Sequence, residues 1–191
     1  MYSQNGGIMK KSLAFLFALL FFGSLILAKE FSVGASVGYY SIADSTFKQT
    51  YGSGNLIYCG FFSYVVGHNI ELRGEISYFH DRGEMTLTKE PIEFSMIPVV
   101  LGARYKIVDI YHLSPYIGAG FDFYSFKESA RIGDTSDSTV GFHIEGGCAV
   151  ALGESFFFDL SLRYIKADAE PYDEIIRLGG FKVAVGVGYS F

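Results

Sequence analysis

Tryptophan is absent from this chain, cysteine occurs twice and proline only 4 times in 191 residues. Two cysteines, Cys59 and Cys148, make no disulfide scaffold, and spacing alone does not say whether they meet; they read as apolar thiols, buried or facing lipid. No C-x-x-C or H-x-x-x-H pair starts a metal site, so neither metal nor other cofactor is expected. Charged residues reach 18%, below the roughly 25% of a soluble domain. No long basic run is present and the net charge is −5, which argues against a nucleic-acid partner. What is abundant excludes more. Hydrophobic residues make up 50% and aromatics 17%, far too many for a disordered chain, and the 23 glycines follow no collagen period.

Near the start, Lys10-Lys11 leads into the apolar run Ser12 to Ala28, which turns polar at Lys29-Glu30. Two positive charges, an apolar stretch and a small residue at its end predict a secretory signal over residues 1–28. The largely apolar part is nearer sixteen residues than the roughly twenty of a spanning helix. Cleavage after Ala28 removes two lysines and leaves an acidic exported domain, residues 29–191, with no cysteine at its new end to carry lipid.

After Ala28 the dominant signal is alternation. Eight stretches, at about 31–40, 56–66, 70–79, 94–107, 115–126, 139–152, 156–166 and 180–191, carry period two in all but one or two cases. The last is the clearest: Phe181, Val183, Val185, Val187, Tyr189 and Phe191 share one parity, Lys182, Ala184, Gly186, Gly188 and Ser190 the other. The stretch Leu56 to Val66 is apolar on both parities, which leaves its facing open. Connections alternate in length. Ser41–Asn55, His80–Glu93, Lys127–Ser138 and Ala167–Gly179 are long and polar, whereas Gly67–Asn69, Val108–Ser114 and Gly153–Ser155 are short. That rhythm predicts an all-β, eight-stranded antiparallel up-and-down transmembrane β-barrel, with tight periplasmic turns, longer outside loops and both chain ends on the periplasmic side.

Alternation alone does not separate a soluble barrel from a membrane barrel, because both have period two. The polar face decides. It is largely Gly, Ser and Ala, small enough for the narrow interior of eight strands, and its charges balance. Glu71, Glu75, Asp122, Glu145 and Asp159 stand against Arg73, Arg104, Lys106, Arg163 and Lys182, with His143 beside them. A balanced set suits a confined lumen, where an unpaired ion costs several kcal/mol, and the apolar parity then faces lipid. Phe31, Tyr39, Tyr78, Tyr105, Tyr164, Phe181, Tyr189 and Phe191 gather near stretch ends, as two interfacial aromatic girdles require. Pro98 falls inside the fourth stretch, where a closed barrel has no edge to hide a missing donor; a bulge or an unpaired carbonyl is expected there.

Three segments carry a resemblance: Ile97-Pro98-Val99-Val100-Leu101-Gly102-Ala103-Arg104-Tyr105, Pro115-Tyr116-Ile117-Gly118-Ala119-Gly120 and the terminal Gly186-Val187-Gly188-Tyr189-Ser190-Phe191. With these the chain, over nearly all of Lys29 to Phe191, resembles the Gram-negative outer-membrane β-barrels, specifically the OmpW-like and OmpA-like eight-stranded ones. The resemblance implies a cell outer-membrane location, contact with outer-membrane lipids including lipopolysaccharide, and an assembly signal at Tyr189 and Phe191 read by the barrel assembly machinery. In the OmpW branch it implies a narrow passage for a small hydrophobic ligand, which so many interior charges disfavour.

Three functions are therefore weighed. The leading one is a non-enzymatic structural or surface-interaction barrel with its lumen plugged by ion pairs. The alternative is a narrow channel for small hydrophobic molecules. The third is a lipid A-modifying enzyme: His112-Leu113-Ser114 has the spacing of a His-x-Ser hydrolase pair, and His80-Asp81 that of a base with its orienter. A turn location for the first, an outside loop for the second, and a packing role for His143 beside Glu145 are the ordinary readings, so no catalytic residue is assigned.

Overall fold

The computed structural model describes residues 31–67, 69–84, 89–108, 111–130, 133–169 and 176–191. The expected signal, residues 1–28, lies outside them. In chain order the elements are β1 (Phe31–Ile42), α1 (Ser45–Tyr51), β2 (Asn55–Val65), β3 (Ile70–Glu84), β4 (Pro91–Lys106), β5 (Leu113–Ala130), β6 (Gly133–Leu152), β7 (Phe156–Ala169), β8 (Ile176–Arg177) and β9 (Gly180–Ser190). Each long strand pairs antiparallel with its neighbour in sequence, β9 pairs with both β7 and β1, and the ring of eight is closed. β8 adds two residues to the free side of the β7 end. Among the described residues no helix is long and apolar enough to cross a membrane. A closed ring of strands needs none, because each wall strand finds hydrogen-bond partners on both sides.

Side-chain direction follows the predicted parity. Val33, Leu72, Leu101, Phe121, Ile144, Leu160 and Val185 point out and are exposed, Leu101 at 53% and Phe121 at 62%. Arg73, Glu75, Arg104, Asp122, His143, Glu145, Asp159, Arg163 and Lys182 point in and are buried. The facing of β2 is settled as well: Leu56, Tyr58 and Phe62 look outward, while Ile57, Cys59 and Phe61 look into the lumen. The two cysteines are free and sit on opposite parities, Cys59 inside and Cys148 on the outward one.

The ladders decide between the two outcomes expected at Pro98, and the structure corrects two other expectations. Pro98 makes no bulge: β4 keeps one register against β3 on either side of it, from Ile76↔Val99 to Phe79↔Met96. Because Lys106 donates to Asn69 across the same ladder, the even residues of β4 turn their amides to β3, so the bond forfeited by Pro98 is one to the Ser77 carbonyl. The connections His80–Glu93 and Lys127–Ser138 are mainly strand, since β3 and β4 pair out to Glu84↔Pro91, and β5 and β6 out to Ala130↔Gly133. The segment Ser41–Asn55 contains a helix. Asp44 caps α1 by accepting from the amides of Thr46 and Phe47 at 2.8 and 2.9 Å, and Phe47 and Tyr51, one turn apart, stack on the buried side.

The added strand length inverts the pattern. Beyond Tyr78, Phe123, Val140 and Tyr164 the outward side chains become His80, Arg82, Glu84, Glu93, Lys127, Ser136, Ser138, Lys166 and Asp168. The inward ones at that end are mostly apolar, with Phe79, Ile92, Phe94, Met96, Phe126, Ile165 and Ala167 all buried. One continuous wall is thus oily outside and charged inside over its lower part, and polar outside with an oily interior above. The first arrangement suits hydrocarbon and the second suits water, so their boundary marks where the barrel leaves the bilayer.

Leu101→Arg, in the middle of the apolar band, is expected to destabilise the barrel by about 2–4 kcal/mol in denaturant unfolding from phospholipid vesicles. Asp44→Ala is expected to weaken α1 by about 1 kcal/mol, read as faster amide exchange in residues 45–51 with the barrel strands unchanged.

Candidate functional site

The interior is built in two layers. The lower one, toward the short turns, is ionic. Arg163 of β7 donates from both terminal nitrogens to the two oxygens of Glu75 on β3, at 3.4 and 3.3 Å, and reaches Glu145 of β6 at 3.0 Å. Arg104 of β4 grips Glu145 through Nε and Nη2, at 2.7 and 3.3 Å, and donates to Asp159 of β7 at 3.3 Å. Lys182 of β9 donates to Glu75 and lies 3.2 Å from Cys59 Sγ. Arg73 is paired with Asp159 at 3.3 Å and faces Glu75 at 3.9 Å. Glu71 stands at the rim against Lys106, 3.5 Å away, and Arg104, 3.9 Å away. His143 Nδ1 is 2.9 Å from Asp122 Oδ2.

All eleven residues singled out from the sequence therefore lie in one lumen. Each of the five bases has a carboxylate within 4 Å. Bidentate guanidinium–carboxylate contacts are the strong, directional kind; here Arg163–Glu75 ties β7 to β3 across the ring, and Arg104–Glu145 ties β4 to β6 over β5. Aromatic rings close the remaining faces. The Arg73 guanidinium lies 3.6 Å from the Phe61 ring centre, and that of Arg104 lies 4.1 Å from the Tyr116 ring, whose hydroxyl donates to Asp159 at 2.7 Å. Glycine supplies the space these groups need: a Cβ at Gly120 would stand 2.7 Å from the His143 ring, and one at Gly147 would stand 2.4 Å from the Tyr116 hydroxyl.

The upper layer was not visible in the sequence as an interior. Tyr40, Phe79, Phe94, Met96, Tyr124, Phe126 and Ile165 fill it, and α1 lies over them. Phe47 meets Phe94 edge-on at 5.1 Å, and the Tyr40 hydroxyl donates to the Leu178 carbonyl. Between the layers lies a cavity of only about 10 Å³, room for roughly one water, lined by Asp122, Ser77, Arg163 and Tyr124 among others. At the turn end a wider recess of about 160 Å³ stops at Arg104, Tyr116 and Asp159.

The hydrolase-like pairs do not assemble. His80 and Asp81 are consecutive in β3 and not in a loop, so they point to opposite faces. His80 stacks on Tyr78, and Asp81 accepts from Asn55 and from the Arg82 amide. His112 is an exposed turn residue, whereas Ser114 lines the lower recess. His143 and Glu145 share a face but bind different partners, Asp122 for the first and two arginines for the second. Tyr189 packs edge-on against Phe156 at 5.1 Å and against Phe191 at 5.0 Å, and the Phe191 amide donates to the Phe31 carbonyl, joining the two ends of the described chain at the turn side.

A closed eight-stranded wall with an outward apolar band and inward ions defines a membrane-spanning β-barrel. Residues 14–191 match the family model of the outer membrane protein beta-barrel domain, and the chain belongs to that family; it is an outer-membrane barrel. No curated protein sequence matches it. Solved structures share the fold at low identity. Neisserial surface protein A superposes with a TM-score of 0.66 at 13% identity, over 84% of this chain and 97% of that one. OprG from Pseudomonas aeruginosa gives 0.69 at 14% identity, over 85% and 95%. Ail of Yersinia pestis, solved in complex with the heparin analogue sucrose octasulfate, gives 0.54 at 16% identity, over 85% and 97%.

Glu75 is the carboxylate that most bases share. Glu75→Ala leaves Arg163 and Lys182 short of a counter-ion in a buried site and is expected to cost about 3–5 kcal/mol in vesicle unfolding. Double replacement of Glu75 and Arg163 by leucine should recover part of that loss, because an apolar pair strands no charge between those two positions.

Proposed function

We propose that this protein is a non-enzymatic outer-membrane barrel with a plugged lumen, serving a structural or surface-interaction role at its α1 end, which faces the outside. The observation that carries the reading is the pair of bridges Glu75–Arg163 and Arg73–Asp159, which cross the lumen between β3 and β7 while each of the five lumen bases has a carboxylate within 4 Å. Above them the aromatic layer and α1 form a second closure. An ion entering would have to break these contacts without gaining hydration in return, a cost of several kcal/mol. Within this reading, Glu71, Arg73, Glu75, Arg104, Lys106, Asp122, His143, Glu145, Asp159, Arg163 and Lys182 are a structural network with no substrate role. Outer-membrane lipids, lipopolysaccharide included, contact the apolar band, and Tyr189 with Phe191 present the terminal signal to the assembly machinery.

Planar-bilayer recording tests the plug. At physiological salt the reconstituted protein is expected to give no steady conductance steps; large, long-lived channels would overturn the reading.

A further inference from the structure

One group in the lumen is neither an acid nor a base of the ion network, yet it touches that network. Cys59 on β2 is buried, and its Sγ lies 3.2 Å from Lys182 Nζ on β9. The two strands are not neighbours, since β1 runs between them. Lys182 is paired beside Tyr40 and Cys59 beside Ser36, so the lysine chain slants along the lumen past β1 to meet the thiol. The same Nζ is paired with Glu75. A sulfur, a nitrogen and a carboxylate able to take a proton thus meet at one atom.

Beside them is room for a small guest. The cavity of about 10 Å³ is lined by Lys182, Glu75 and Ser77, and Ser77 is the neighbour of Cys59 across the β2–β3 ladder. Asp122 lines it too, fully buried, and among the described residues its Oδ1 has no hydrogen-bond partner. A buried oxygen in that condition calls for a small donor. Water is one. Hydrogen peroxide, neutral, a donor and acceptor at both ends and one oxygen larger, is another, and an exported protein stands in an oxidising compartment.

We propose that Cys59 and Lys182 are joined by hydrogen peroxide into a sulfenamide that staples β2 to β9 over β1. In the first step the sulfur attacks one peroxide oxygen and the O–O bond breaks. The thiol proton leaves with the other oxygen as water, and Cys59 becomes a sulfenic acid, oxidised by two electrons as the peroxide is reduced by two. In the second step Lys182 passes a proton to Glu75, and its freed lone pair attacks the sulfur. The N–S bond forms, the S–O bond breaks, and the departing hydroxide takes a second amine proton to become water. One thiol, one ammonium, one carboxylate and one peroxide give one sulfenamide, one carboxylic acid and two waters. Lys182 and Glu75 lose their charges together, while Arg163 keeps Glu145 and Arg73 keeps Asp159, so no ion is stranded. A thiol reductant reverses the product.

The test uses the full chain in phospholipid vesicles, with hydrogen peroxide as the probe. Tryptic digestion after treatment is expected to give residues 49–73 joined to residues 178–191, uncut after Lys182 and lighter by two hydrogens than the two chains together. Dithiothreitol should restore both peptides and the cut. The guanidinium unfolding transition of the treated barrel should move to higher denaturant and return on reduction, because the link closes a long loop in the unfolded chain. Lys182→Arg keeps a cation for Glu75 but offers no such nucleophile, and Cys59→Ser removes the sulfur; both should lose the linked peptide and the shift. A control that needs no variant is the wild-type chain unfolded before peroxide is added, where no link is expected because the contact belongs to the closed barrel. Cys59 recovered as a thiol or a sulfinic acid, with trypsin still cutting after Lys182, would overturn the proposal. So would an equal yield of the link from the unfolded chain.

Discussion

An ion enclosed by eight strands has no bulk solvent to stabilise it, so its counter-charge must come from another strand. That requirement organises the lower half of this molecule. Glu75 on β3 answers Arg163 on β7 and Lys182 on β9, and Glu145 on β6 answers Arg104 on β4 and Arg163 again. The Glu75 contacts cross the lumen and those of Glu145 run along the wall to β7 and β4, so strand register is constrained by near neighbours and by partners across the ring. A one-residue slip would place a guanidinium in hydrocarbon and a leucine in the ion cluster.

The upper half obeys the same rule with the solvent changed. Once the wall rises out of lipid, its outside meets water, and the side chains exchange roles without any change in backbone. Phe94 and Phe126 stack inside at 6.0 Å while Arg82 and Glu93 pair on the exterior at 3.1 Å. The exterior pair contributes little, being exposed and screened. The interior aromatics anchor α1, and with it the roof over the lumen.

This change of solvent also explains what was legible in the sequence. Parity in β1, β3, β4, β6, β7 and β9 could be read directly, because a lipid-facing row is oily and its opposite row small or charged. Lys127 to Ser138 carries the same alternation with a polar outer row, and in isolation a polar row looks like a loop. α1 left a trace in Asp44 followed by the Phe47–Tyr51 spacing, too short to outweigh the turn-like composition around it. The ions could be chosen from the sequence by parity, but which acid meets which base could not, since pairs such as Glu75 and Arg163 come from strands far apart in the chain. The β2 row stayed ambiguous for a related reason: Phe61 faces inward and lies against the Arg73 guanidinium, a relationship that hydropathy does not encode.

Lys182 sits on the strand that closes the ring. Until β9 docks, Glu75 lacks one of its cations and the β1 edge lacks its partner, so zipping the seam and neutralising the cluster happen in one event. Among the eight wall strands β9 comes last in chain order. The charge arrangement thus acts as a completion check, in which a truncated or half-inserted chain keeps an uncompensated carboxylate and only the finished cylinder is at rest in the membrane.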